Sequence, residues 1–325
     1  MRKAVTALAA AASLAGGAQA APTAPRPDPE LTLLQQRDHR LFALGWRLAT
    51  ANAAYCAAAT PALGLQLLDA GAFKRPGPVR AQLGLTGDIA VGAVAPDSPA
   101  ARAGLAQNDT ILAIGDTDLA TRFPAAEPRW QRLIAVTAAL DSAVAQGPVS
   151  LRVARGLGAE RTVIASGVAR CPTRFEVLSS GKAAFSEGTR VVLGRDFPLF
   201  AGPDDMLAVV IAHELAHNLL RHNAALDSMG RSLGNQRITE READRLAPWL
   251  LANAGVDPES AARFFETWFR KHDGGLFRAR DHEAWDERAA AVRAELPLVR
   301  AAMAAGDGRA DWARGFRREA LTPRR

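Results

Sequence analysis

The chain of 325 residues is short of several things, and each shortage removes a class of explanation. Two cysteines, Cys56 and Cys171, permit a single disulfide connectivity. Lysine is scarce: Lys3, Lys74, Lys182 and Lys271 are all there are, so the 40 basic residues are almost entirely arginines scattered along the chain. Against 34 acidic residues they leave a formal charge of +6, with no basic stripe interleaved with aromatics. That pattern argues against a nucleic-acid partner. Beyond the N-terminus no segment approaches the ~18 uninterrupted apolar residues of a membrane span, so no integral span is expected in the mature chain.

What is present describes a globular protein: 48% of residues are apolar and 23% charged, in a chain long enough for about two domains with their own cores. The N-terminus reads as a leader. Arg2 and Lys3 precede the short apolar run AVTALAAAASLAGGA, and Ala18-Gln19-Ala20 fits a small-x-small cleavage site before Ala21. Export, with cleavage after Ala20, is the expectation. A proline-rich spacer, APTAPRPDPE, follows. Leu34, Leu41, Leu44 and Leu48 then recur at near-helical spacing and predict a helix within residues 30 to 55.

Residues 91 to 119, VGAVAPDSPAARAGLAQNDTILAIGDTDL, read as strand, turn, short helix, turn, strand. Asp97 or Ser98 can cap a helix that takes Pro99 in its first turn, and Gly104 stands where a left-handed residue closes it. This pattern closely resembles the core of a PDZ domain. The resemblance implies a carboxylate-binding loop at Leu63, Gly64 and Leu65, a groove helix in RWQRLIAVTAALDSAVAQG, and closing strands in VSLRVARG and ERTVIAS. It also implies peptide partners bound as an added strand. An insert between Leu65 and Val91 departs from the pattern. Cys56 and Cys171 flank this unit, where domain termini often approach one another, so a disulfide is expected to close its base.

Three of the six histidines fall within Ile211–His222, IAHELAHNLLRH. On one helix His213 and His217 lie about 40° apart and one turn from each other, so both imidazoles can reach one ion. Glu214 lies beside that ion, where a general base takes a proton from water. His222 lies about 180° round from His213 and can join them only if the helix breaks, which assigns it a supporting role. A bare HExxH is weak evidence, and the test is a third ligand. Glu240, in ITEREADRLAPWLLANAGVDP, can complete a His-His-Glu set, with Thr239 as a cap. Asp244, one turn on, can accept a hydrogen bond from a ligand histidine's far nitrogen. Glu242 points to another face and is the less favoured ligand.

HELAH, then EREAD, then LLANAGVDP resembles the zinc metallopeptidases that include HtpX and the CAAX prenyl proteases, peptidase family M-forty-eight. The similarity covers about residues 171 to 300. It implies one zinc per chain on His213, His217 and Glu240, with Glu214 as catalytic base. The family's C-terminal H-P-x-x-x-x-R motif is matched by His282 and Arg288 at the same spacing, with Glu283 in place of the proline. The pair is expected either to stabilise the oxyanion, or to place His282 on the open metal position in the resting state. Tyr55, the one tyrosine, lies far upstream, which excludes a tyrosine donor in the catalytic domain.

The expected fold is α+β. A leader (1–20) and a linker with an N-terminal helix (21–56) precede a PDZ-like β-sandwich domain (57–170). A mostly helical zincin (gluzincin) domain with a small edge sheet follows (171–305), its KAAFSEGTRVVLG strand (182–194) beside the zinc. The basic C-terminal segment (306–325) is expected to be solvated and disordered. The expected function is an exported, periplasmic zinc metalloendopeptidase acting on misfolded or envelope proteins, with the PDZ-like unit selecting substrates. A PDZ-like scaffold or chaperone-like binding protein with a structural zinc is the competing expectation.

Overall fold

The computed structural model describes residues 27–125, 129–272 and 284–323. The leader, most of the proline-rich spacer, and His282 with Glu283 lie outside the described residues.

The N-terminal helix, α1 (Pro29–Ala51), starts where the Asp28 carboxylate accepts from the Glu30 amide at 2.9 Å. Leu41, Leu48 and Ala49 are buried in the core of the C-terminal region. Phe42 and Trp46, on its other side, pack on Ala93 and Ala95 of the middle region. A helix buried on two faces packs on both regions.

The middle region contains β1 (Thr60–Ala62), β2 (Leu65–Asp69), α2 (Pro76–Leu83), β3 (Ile89–Val94), α3 (Pro99–Arg102), β4 (Asp109–Ile114), β5 (Thr117–Asp118), α4 (Leu119–Arg122), α5 (Trp130–Ala145), β6 (Val149–Arg155), β7 (Arg161–Ala165) and β8 (Val168–Arg170). An antiparallel sheet runs β2-β3-β4-β6-β7, with β5 on β4, and β1 pairs with β8 as a separate ribbon. Val136, Leu140 and Val144 of α5 share a core with Leu67, Val91, Ile111 and Leu151 of the sheet. The expected sandwich is instead a sheet with α5 on one face and α1 against the other. Small side chains make this possible: Ala93 and Ala95 let the bulky Phe42 and Trp46 approach. The short helix forms as its sequence predicts, since the Ser98 hydroxyl accepts from the Ala101 amide at 3.1 Å and Gly104 takes φ +78°.

Cys56 and Cys171 are bonded, with Cα atoms 5.6 Å apart, and join the chain after α1 to the start of the C-terminal region. Closing a loop of 115 residues contributes at most ~4–5 kcal/mol in the chain-entropy account.

The C-terminal region opens with a three-stranded sheet, ordered β10-β11-β9, from β9 (Arg174–Leu178), β10 (Ala184–Ser186) and β11 (Arg190–Gly194). Helices α6 (Asp204–Leu219), α7 (His222–Met229), α8 (Leu233–Asn253), α9 (Glu259–Arg263), α10 (Arg270–His272), α11 (Trp285–Ala305) and α12 (Trp312–Gly315) follow, with a π-helical stretch at Phe264–Phe269. The packing of α6 on α8 forms the centre, where Leu207, Ile211 and Leu215 meet Leu246 and Leu250. Truncating one of these leucines to alanine is expected to cost ~2–5 kcal/mol. Among the described residues no helix is long and apolar enough to cross a membrane.

The C-terminal segment is ordered against α8, contrary to the expectation of a solvated tail. Trp312 and Phe316 are buried in the core, and Glu319 pairs with Arg241 and Arg245. Arg318 pairs with Glu242, and Asn235 exchanges two hydrogen bonds with Thr322, at 2.9 and 3.0 Å. Arg318 finds a carboxylate on α8, Glu319 finds two arginines there, and two aromatics anchor the segment.

Candidate metal centre and peptide groove

Helix α6 begins after Pro203 with Asp204 and Asp205 in its first turn, which suits the positive end of its dipole. Arg40 of α1 fixes this end by donating to Asp204 and to the Phe200 and Gly202 carbonyls. Downstream, the i, i+4 spacing brings His213 Nε2 and His217 Nε2 to 3.1 Å. From α8, Glu240 places one carboxylate oxygen 3.3 Å from His213 Nε2 and the other 3.4 Å from His217 Nε2. Among the described residues these three form the one cluster of metal-ligating groups.

The dimensions can be tested against an ion. Tetrahedral zinc with bonds of ~2.0–2.1 Å to nitrogen and oxygen separates its ligand atoms by ~3.3–3.4 Å. The three separations here match that edge closely, and two imidazoles with a carboxylate are a donor set zinc accepts. The residues fit the ion. Glu214 is buried and lines the same cavity, about 350 Å³ in volume. Ala184, Phe185 and Ser186 of the edge strand β10 form one wall, and Phe264, Phe265 and Phe269 contribute apolar surface.

Behind the cluster each histidine has a partner on Nδ1. His213 Nδ1 lies 2.9 Å from Asp244 Oδ1, on the helix that carries Glu240. Arg288 of α11 grips Asp244 with two bonds, Nε to Oδ2 at 2.6 Å and Nη2 to Oδ1 at 2.7 Å. Its guanidinium also sits 4.6 Å from the Phe265 ring centroid and 5.1 Å from that of Phe269. Arg288, expected with His282 either to stabilise an oxyanion or to accompany His282 onto the metal, lines the same cavity and commits its fork to Asp244 and its faces to two rings. His282 lies outside the described residues.

His217 Nδ1 lies 2.9 Å from His222 Nδ1, and His222 Nε2 lies 3.0 Å from Glu242 Oε2. This contact exists because the helix breaks: α6 ends at Leu219, and Arg221 adopts a left-handed conformation with φ +59° before α7 begins at His222. No glycine or proline marks the break. Arg318 stabilises it by donating to the Leu220 carbonyl at 3.0 Å while also holding Glu242. The supporting role expected of His222 is legible from helix spacing, but its partner Glu242 and the Arg318 behind it leave no signal in the sequence.

Burial opposes a charge on every one of these groups. At His213 the adjacent Asp244 and Glu240 carboxylates overcome it and raise the pKa well above that of free histidine. At His217 burial prevails, reinforced by His213 and His222, and lowers the pKa despite Glu240. At His222 burial again prevails over Glu242. Burial works against Glu242 too, but His222, Arg318 and the Glu319 amide bring it down to about 2. A proton held on His213 between two carboxylates is one that a bound dication would displace.

In the middle region Leu63 is buried, and its carbonyl accepts from the Ala100 amide at 2.9 Å. Gly64 has φ +74°, and a Cβ there would lie 2.3 Å from Ser98 Cβ and 2.9 Å from the Trp46 ring, so only glycine fits this bend. Leu65 then begins β2, an edge strand of its sheet with α5 alongside. At the far end of β2, Arg132 of α5 donates to Asp69 and Asp88 in a buried pair. The insert after β2 folds as α2 and closes toward α5, with Arg129 donating to the Phe73 carbonyl at 2.9 Å.

Compared with known protein families, residues 91–155 match the PDZ domain. The match runs from β3 to the end of β6 and leaves Leu63, Gly64 and Leu65 outside it. A search among curated proteins finds no match for the chain. PDZ domains bind peptides, so the middle region supports a protein-interaction or regulatory role.

Proposed function

We propose that the chain is a zinc-dependent metalloendopeptidase, exported to the periplasm, in which the PDZ region recruits or orients misfolded or envelope proteins. The observation that carries this reading is the convergence of His213 Nε2, His217 Nε2 and the Glu240 carboxylate at 3.1 to 3.4 Å beside Glu214. A purely structural site needs no buried carboxylate next to its ligands. Zinc, when bound, supplies a Lewis acid that polarises a scissile carbonyl and makes water a better nucleophile. Glu214 takes the proton of the attacking water and returns it to the leaving amine. Strand β10 pairs with β11 on one side and lines the cavity, so a substrate can lie extended against it. Asp244 and Arg288 hold the His213 imidazole in orientation rather than touching the reacting atoms.

The test is metal analysis of the purified full chain beside a casein digestion assay. Wild type should carry about one zinc per chain. Glu214→Gln should keep the metal and lose ~10²–10⁴-fold in cleavage, while Glu240→Ala should lose the metal. A Glu214→Gln protein that digests casein like wild type sinks the endopeptidase reading. Bound zinc without cleavage in wild type, together with peptide binding by the PDZ region, would favour a scaffold with a structural metal.

A further inference from the structure

The two histidines of the cluster are supported unequally. His213 rests directly on a carboxylate that an arginine grips. His217 rests on another imidazole, and three links separate it from the C-terminal segment. We infer that this segment is a positioning strap: through Arg318, Glu242 and His222 it fixes His217 in the tautomer whose Nε2 lone pair faces Glu240.

The hydrogen bonds of the chain fix where each proton sits. Glu242 is fully buried and binds the strap through both oxygens: the Glu319 amide donates to Oε1 at 2.6 Å and Arg318 Nη2 donates to Oε2 at 3.0 Å. A carboxylate held this way only accepts, so His222 Nε2, 3.0 Å away, carries the hydrogen of that bond. His222 is buried, and Arg318 already balances the charge of Glu242, so a second buried cation has no counter-charge; His222 is neutral and its Nδ1 is bare. The bond between His222 Nδ1 and His217 Nδ1, 2.9 Å apart, needs one hydrogen, and it must sit on His217. With Nδ1 protonated, His217 keeps its lone pair on Nε2, the atom 3.1 Å from His213 Nε2 and 3.4 Å from Glu240 Oε1.

The strap is built to hold this order. Residues 317 to 322 lie along α8: Arg245 donates to the Arg317 carbonyl, Glu319 pairs with Arg241 and Arg245, and Asn235 exchanges bonds with Thr322. The helix break contributes as well. On a continuous helix His222 would stand about 140° round from His217, out of reach. The left-handed Arg221 and the Arg318 bond to the Leu220 carbonyl bring it into contact.

The strap's purpose, though not its geometry, rests on the metal-centre reading, and two measurements separate them. Side-chain ¹⁵N spectra of the metal-free full chain, assigned with histidine variants, should show the proton on Nδ1 of His217 and on Nε2 of His222. Zinc affinity by chelator competition should fall 10–100-fold in His222→Phe and about tenfold in Arg318→Ala. His222→Gln should stay within about threefold of wild type, because an amide accepts with its oxygen and donates with its nitrogen in the same order. The reverse tautomers in the spectra overturn the inference. So do equal losses in the phenylalanine and glutamine variants, since the histidine then only fills space. The stated tautomers in a wild-type protein that takes up no zinc uphold the strap and defeat the metal reading alone.

Discussion

In the sheet-rich middle region Asp69 and Asp109 are buried carboxylates gripped by arginines and backbone amides. Asp69 accepts from Arg132 and the Gly71 amide, and Asp109 from Arg155, Arg161 and the Ala106 amide. In the helical region Asp244 and Glu242 are equally buried, but each has an arginine on one flank and a histidine on the other. A carboxylate surrounded by arginines and amides locks strands, turns and helix together. One shared between an arginine and an imidazole passes orientation onward. The same buried pair is therefore a clamp in one half and a support for a histidine of the candidate metal centre in the other, and what decides is the third group.

The largest effect should come from breaking a clamp. Asp69→Ala leaves Arg132 buried without its main partner and should cost ~3–5 kcal/mol, read as a lowered denaturant midpoint, with zinc content per folded chain unchanged. A loss of zinc at full stability would erase the distinction between the two regions. Next, Asp244→Asn keeps the shape of the support but weakens its charge. It should reduce zinc affinity 10–100-fold by chelator competition, and Arg288→Ala should move affinity in the same direction. Unchanged affinity in both would reduce this pair to another clamp.

The smallest effect concerns the seam between the regions. Asp38 of α1 accepts from the Val177 amide of β9 at 3.0 Å and meets Gln66 of β2. Burial raises its pKa from 3.8 to about 7, against the bonds from Val177 and Gln66. The folded chain thus holds a proton that the unfolded chain has released between about pH 4 and pH 7, and stability falls as pH rises through that window. Asp38→Asn removes this dependence while keeping an acceptor for Val177. Relative to wild type it should gain on the order of 1 kcal/mol between pH 5 and pH 8, less than full linkage because the side chain is partly open to water. Parallel pH profiles for the two proteins would show that the seam carries no such proton.

By itself the sequence determined those features that depend on neighbours along the chain. The four-residue spacing of His213 and His217, the Ser98 cap with Pro99 behind it, and the left-handed Gly104 follow from backbone geometry within a few residues. Glu240 and Asp244 were legible as one helical face for the same reason. The tertiary structure alone decided whatever joins distant segments. Arg288 meets Asp244 across 44 residues and Arg318 meets Glu242 across 76, and neither pairing leaves a periodicity to read. The helix break at Arg221 carries no glycine or proline, since its stability comes from an arginine 97 positions away that bonds the Leu220 carbonyl. The C-terminal segment looked solvated because its charges were counted without their partners. Helix α1 was legible as a helix, but its second buried face exists only once the Ala93 and Ala95 surface packs beside it. Local patterns fix where a side chain points on its own element; which group it then meets is settled by the packing of elements far apart in the chain.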